Sequence, residues 1–165
     1  MIDTTILSYY SHFVENRLYK VLIIYSPYNA RLKKFSKKLA KMFNTQQYAV
    51  KTQEACKTSV PDITASDIIF FGTDEYGDQF MKGDFSELNR ALSGINLAPR
   101  HAGIFSYTAP HALSSLERMI ADTGMTVAEE KPVITLLGKK PEQFIEKWIK
   151  TVQTKFEEAA HDRKL

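Results

Sequence analysis

The stretch Asp67-Ile-Ile-Phe-Phe-Gly-Thr-Asp-Glu-Tyr-Gly77 opens with a continuous apolar run that shows no polar alternation and ends at a glycine and a polar loop. A strand that is apolar on both sides is buried on both faces, as happens in parallel sheets covered by helices. The run Lys20-Val-Leu-Ile-Ile-Tyr25 repeats the signature and leaves through Ser26-Pro-Tyr-Asn29; Ala102-Gly-Ile-Phe-Ser106 is a third copy, with a loop reaching His111. Strand and helix patterns alternate about five times, which predicts a doubly wound α/β sandwich. Ligands of such folds bind beyond the carboxyl ends of the strands, where strand order reverses. Three loops are therefore the candidate site: Ser26 to Leu32, Thr73 to Gly77 and Ser106 to His111.

Working outward, residues 3–18 place Ile6, Leu7, Tyr10, Phe13, Val14 and Leu18 near helical spacing, so a helical extension over residues 1–19 is expected ahead of the main domain. A short strand is expected around Tyr48 to Lys51, a break at Val60-Pro61 to Ser66, a helix from Phe85 to Leu92, and a helix over 112–123 ending at Gly124, which suits a left-handed C-cap. Val133 to Leu137 reads as the final strand, with Thr126 and Val127 as its lead-in. Pro141 can begin a helix whose apolar face carries Phe144, Ile145, Trp148, Ile149, Val152 and Phe156. Trp148 is expected in the core, not stacked on a ligand, and the domain is expected over 20–156 with a frayed tail over 157–165.

The chain has 165 residues, 44% hydrophobic and 25% charged, which fits one globular domain and excludes collagen, coiled coil and bulk disorder. Its apolar runs fall far short of a bilayer span of about 20 residues. Without a basic leader or small-residue cleavage pattern, and with one cysteine, the expected compartment is the cytoplasm. Cys56 reads as a small buried hydrophobe or a reactive thiol, and His12, His101, His111 and His161 show no metal-ligand spacing.

The net charge of +3 is unevenly spread: residues 1–60 carry +7, 61–100 carry −4, and 101–165 balance. Arg31, Lys33, Lys34, Lys37, Lys38 and Lys41 cluster within one segment, interleaved with Leu32, Phe35, Leu39, Met42 and Phe43 at helical spacing. The cluster reads as the solvated face of an amphipathic helix or as a patch that attracts an acidic partner. No nucleic-acid motif accompanies it, so nucleic acid is not the expected partner.

At the three loops the sequence resembles the flavodoxin family, from about Lys20 to Phe156. Ile69-Phe-Phe-Gly-Thr-Asp-Glu-Tyr-Gly77 is similar to that family's strand ending in a Gly-Ser-Pro-Thr-Tyr-Gly type loop. Ala102-Gly-Ile-Phe-Ser-Tyr107 resembles the next strand and its flavin-contacting loop, although Thr108, Ala109 and Pro110 stand where many members have Gly-Trp-Gly. The resemblance implies a five-stranded parallel sheet ordered 2-1-3-4-5, noncovalent FMN, and electron exchange with redox partner proteins. It assigns cofactor binding to Ser26, Tyr28, Asn29, Ala30, Arg31 and Leu32, to Thr73, Asp74, Glu75, Tyr76 and Gly77, and to Ser106, Tyr107, Thr108 and His111.

The first loop departs furthest from the family. Asn29-Ala-Arg-Leu32 stands where the phosphate-cradling Thr-Gly-Asn-Thr is expected, so two hydroxyls and a glycine are missing. Helix amides still offer an anion site, and Arg31 either offsets the loss through charge-assisted bonds or is a surface cation. Ala30 adds a cost only if its φ is positive. Tyr76 and Tyr107 either contact the flavin ring or cover the sheet edge. Asp74, Glu75 and Asp78 either lower the flavin potential or form a solvated loop. The leading expectation is an FMN electron carrier. The alternatives are a protein- or nucleic-acid-binding module of the same fold that has lost FMN, and an NAD(P)H-dependent flavin reductase, for which no pyridine-nucleotide motif is present.

Overall fold

A computed structural model gives the structure of the chain and describes residues 17–165. The expected helical extension lies outside the described residues except at its end, where Arg17 and Leu18 have no regular structure and Tyr19 already begins a strand. In chain order the elements are β1 (Tyr19–Tyr25), α1 (Ala30–Ala40), β2 (Tyr48–Glu54), α2 (Val60–Thr64), β3 (Ile68–Gly72), α3 (Asp78–Lys82), α4 (Ser86–Ala91), β4 (His101–Phe105), α5 (Pro110–Ile120), β5 (Thr126–Val127) and α6 (Pro141–Asp162), with 3-10 turns at Ala55–Lys57 and Ile134–Leu136.

All five strands are parallel and ordered β2-β1-β3-β4-β5, so chain order reverses between β1 and β3. The three apolar runs are the three central strands. Val21 to Tyr25, Ile68 to Gly72 and His101 to Phe105 are buried throughout, because each has a strand on both sides and a helix layer on both faces. Leu22, Ile24, Ile69, Phe71 and Ile104 meet Ile63 of α2, Phe85 at the N-cap of α4, Leu88 of α4 and Leu116 of α5. Val21, Ile23, Ile68, Phe70 and Phe105 meet Leu32, Phe35, Leu39, Ile145 and Trp148 from α1 and α6. The chain thus builds one core on each side of the sheet. Trp148 is in the second, 1% exposed, with its indole N–H donating to the Glu130 carbonyl at 2.9 Å, as expected of a core residue.

The structure corrects four expectations. The final strand is Thr126–Val127, not Val133–Leu137: Ala128 donates to the Ala102 carbonyl at 2.9 Å, the chain then loops out through Glu129 to Pro132, and Val133 returns only as a bridge to Ser106. The charged Glu129-Glu130-Lys131 leaves the sheet edge for solvent, and Ile134–Leu136 coils as a 3-10 turn against Tyr107. The expected break from Val60-Pro61 to Ser66 contains α2, which starts where the Asp62 carboxylate accepts from the Ser59 amide and hydroxyl, both at 2.9 Å, and α3 is a further short helix with no counterpart among the expected elements. The expected frayed tail is helical through Asp162, since Phe156 is buried and the Tyr48 hydroxyl donates to Glu157 at 2.6 Å. Cys56 is exposed, on a surface 3-10 turn.

Candidate functional site

The three loops do meet at the carboxyl end of the sheet, at the β1/β3 reversal. Parallel register brings Tyr25 beside Gly72 and Gly72 beside Phe105, so Ser26, Thr73 and Ser106 leave their strands side by side. Gly72 is required there, because a Cβ would sit inside the Phe105 ring. Ser26 and Thr73 are fully buried and share a hydroxyl hydrogen bond of 2.9 Å, while the Thr73 Oγ1 accepts the Glu75 amide at 3.1 Å. These two hydroxyls hold the first loop to the second.

Asp74 holds all three. Its Oδ1 accepts from the Ser106 hydroxyl at 2.7 Å and from the Tyr107 and Thr108 amides at 2.7 and 2.9 Å, and its Oδ2 accepts from the Asn29 Nδ2 at 2.6 Å. Ser106 Oγ in turn accepts the Ala109 amide at 3.0 Å. Burial alone would raise the Asp74 carboxyl, but the bonds from Ser106, the Thr108 and Tyr107 amides and Asn29 hold it below the ordinary carboxylate range. It is an anion fixed by donors from two other loops.

Asn29 is also the N-cap of α1. Its Oδ1 accepts the Arg31 amide at 2.9 Å, and its carbonyl accepts the Leu32 and Lys33 amides at 3.1 and 3.3 Å. The Arg31, Leu32 and Lys33 amides at this helix start therefore already have partners within the chain. Ala30 has no positive φ, so it carries no strain, but it is not the glycine of the family loop either.

The remaining expected residues are spread more widely. Leu32 is fully buried and belongs to the core against the sheet. Tyr28 is 90% exposed. Gly77, at φ +58°, turns the chain into α3. Glu75 turns back over the α3–α4 junction, where burial and then the nearby Asp84 raise its carboxyl. Tyr76 is half exposed and packs beside His111, with ring centroids 5.5 Å apart. Tyr107 faces the α1/α6 side, with the Arg31 guanidinium 6.0 Å from its ring centroid. The two tyrosines thus keep separate company. No group of three or more metal-capable side chains occurs among the described residues, and no helix there is long and apolar enough to cross a membrane.

The fit to FMN can be judged from these donors. A phosphate ester needs free N–H and O–H groups at the start of α1 and a positive local field. Here the Asn29 side-chain N–H at that helix start, together with the Ser106 hydroxyl and the Tyr107 and Thr108 amides of the loop after β4, is committed to the Asp74 carboxylate, which would repel a phosphate dianion placed beside it. The residues present fit the group poorly. Sequence reading placed Asp74 near a flavin as a tuning charge; what it missed is that the same residue can supply the anion, a role set by partners 32 to 45 positions away.

No family model matches the chain. No curated protein matches it either. Solved structures do. A flavodoxin of Streptococcus pneumonia TIGR4 is 16% identical, with 82% of this chain and 99% of that chain covered and a TM-score of 0.71. A short-chain flavodoxin associated with a non-canonical PDU bacterial microcompartment is 12% identical over 84% of this chain and 99% of its own, also with a TM-score of 0.71. A Fusobacterium nucleatum flavodoxin bound to flavin mononucleotide is 12% identical over 83% and 98%, with a TM-score of 0.64. Identities this low speak to architecture, and with the β2-β1-β3-β4-β5 order they place this chain in the flavodoxin-like fold.

Proposed function

We propose that this protein is a flavodoxin-fold binding module that works without flavin. The observation that supports this most directly is Asp74, whose carboxylate takes the place and the donors of an anionic ligand at the meeting point of the three loops. The altered first loop supports it too: without threonines or glycine, Asn29-Ala-Arg-Leu32 offers few groups to a phosphate. On this reading function falls to the surface, where α1 and its C-cap present six exposed cations.

The second reading is the FMN electron carrier, favoured by the fold and by the neighbour with flavin mononucleotide bound. Titrating the full chain into FMN, followed by flavin fluorescence and visible absorbance, separates the two. The module reading expects no bound flavin at micromolar concentrations. A stable yellow complex would overturn it and establish the carrier's first requirement, leaving its redox partner proteins to be found.

A further inference from the structure

Beside the Asp74 hub, α1 and α6 flank a groove of about 400 Å³, to which the first and third loops contribute Arg31 and Tyr107. Its floor is apolar, formed by Phe35 of α1, Met42 of the turn after it, Ile145 of α6, and Tyr107 and Ile134 from the loops after β4 and β5. Its rim is cationic. Arg31, Lys34 and Lys38 line it at three- and four-residue spacing along α1, while Lys33, Lys37 and the C-cap Lys41 form a second exposed row away from the groove lining. All six are exposed, and among the described residues only Lys38 has an ion-pair partner, Glu142 at the opposite lip. Arg31 and Lys33 stand in the first helical turn, where the dipole disfavours positive charge. No acidic side chain occupies that turn to offset them.

We infer that this groove receives an acidic amphipathic segment of a partner protein, with an apolar side chain on the Phe35–Ile145 floor and carboxylates against Arg31 and Lys34. The inference rests on the binding-module reading for its biological sense, and on charge and shape for its chemistry. A groove of this volume accepts one or two side chains, within the range of ordinary binding pockets. The row Arg31, Lys34 and Lys38 matches an anionic strip of similar length, and amphipathic segments lie in grooves by anchors spaced three or four residues apart. A nucleic acid satisfies the cations, but a floor that is largely Met42, Ile134 and Ile145 gives its bases little aromatic surface to stack on. Glu142 is the built-in competitor, since it already occupies Lys38 with a carboxylate.

The test is fluorescence anisotropy of the full chain with three labelled probes: a short peptide alternating Glu and Leu, an all-Glu peptide of the same length, and a single-stranded DNA oligonucleotide. The Glu/Leu peptide should bind best, with affinity falling as salt rises. The exposed reversals Arg31→Glu and Lys34→Glu together should weaken it by about tenfold or more, and Ile134→Ala by several-fold. Glu142→Gln should have the opposite sign and tighten binding by freeing Lys38, whereas the Ile134→Ala loss is the effect that a merely solvated helix face would not give. Equal binding of the all-Glu peptide, preference for the oligonucleotide, indifference to the Arg31 and Lys34 reversals, or self-association in solution abolished by those reversals would each overturn the proposal. FMN binding with intact peptide binding would sink the flavin-free reading while leaving the groove assignment standing.

Discussion

Replacing Asp74 by Ala strips the three loops of their common acceptor. Four hydrogen bonds to a carboxylate disappear, at 2.6 to 2.9 Å, from Asn29, Ser106, Tyr107 and Thr108. Bonds to charged groups are worth about 1.5–3 kcal/mol each when a partner is left unsatisfied. Asp74 is only partly buried, so water can reach some of the freed donors, and the four act on one group, so they do not add. A net loss of about 2–4 kcal/mol is expected, which for a chain of this size lowers Tm by about 5–15 °C. The assay is urea denaturation followed by the fluorescence of Trp148, the single tryptophan, which is 1% exposed in the core. Asp74→Asn should lose less, since its oxygen still accepts from the third loop while its amide opposes that of Asn29. The freed donors also form an empty anion cradle, so inorganic phosphate should raise the Tm of the Ala variant and leave the parent unmoved. A parent that phosphate stabilises equally, or an Ala variant within about 0.5 kcal/mol of the parent, would refute the reasoning.

Further predictions concern packing and pH. Gly72→Ala should cost about 1–3 kcal/mol in the same urea assay, because the new methyl meets the Phe105 ring, whereas Gly94→Ala, with open space around it, should act only through its positive φ and cost less. Gly103→Ala should cost a similar amount to Gly72→Ala by pressing on Phe70 at 2.7 Å and Trp148 at 2.9 Å, with a shift in Trp148 emission as its signature. His101 is buried against Phe156, and burial pushes its imidazole below the ordinary value of 6.5, with a lesser opposing effect from the Pro99 backbone. The unfolded chain then binds the extra proton first, so this contribution is complete above pH 6.5 and is lost as pH falls through the lowered folded value. His101→Phe should flatten that part of the stability curve. The Asp74 contribution has the same sign in a lower window, disappearing as pH falls from its ordinary 3.8, and Asp74→Asn should abolish it.

The central strands were legible because burial on both faces leaves no room for polar residues: Val21 to Tyr25, Ile68 to Phe71 and Ala102 to Phe105 could only be interior. α1 and α6 were legible because a helix covering one face repeats its apolar residues every three or four positions, as Leu32, Phe35 and Leu39 do. These local periods determined the fold class and the place where the three loops converge. Short elements gave no such period. α2 and α3 are five residues each, and β5 is two residues held by pairing with His101 and Ala102, so tertiary contacts set their limits. The site followed the same division. The sequence determined which residues reach the carboxyl end of the sheet, because strand ends are local. Only the folded chain decided that Asp74 turns inward to Asn29, Ser106, Tyr107 and Thr108, because a carboxylate's choice between solvent, a ligand and its own backbone depends on which donors distant segments bring within hydrogen-bond reach.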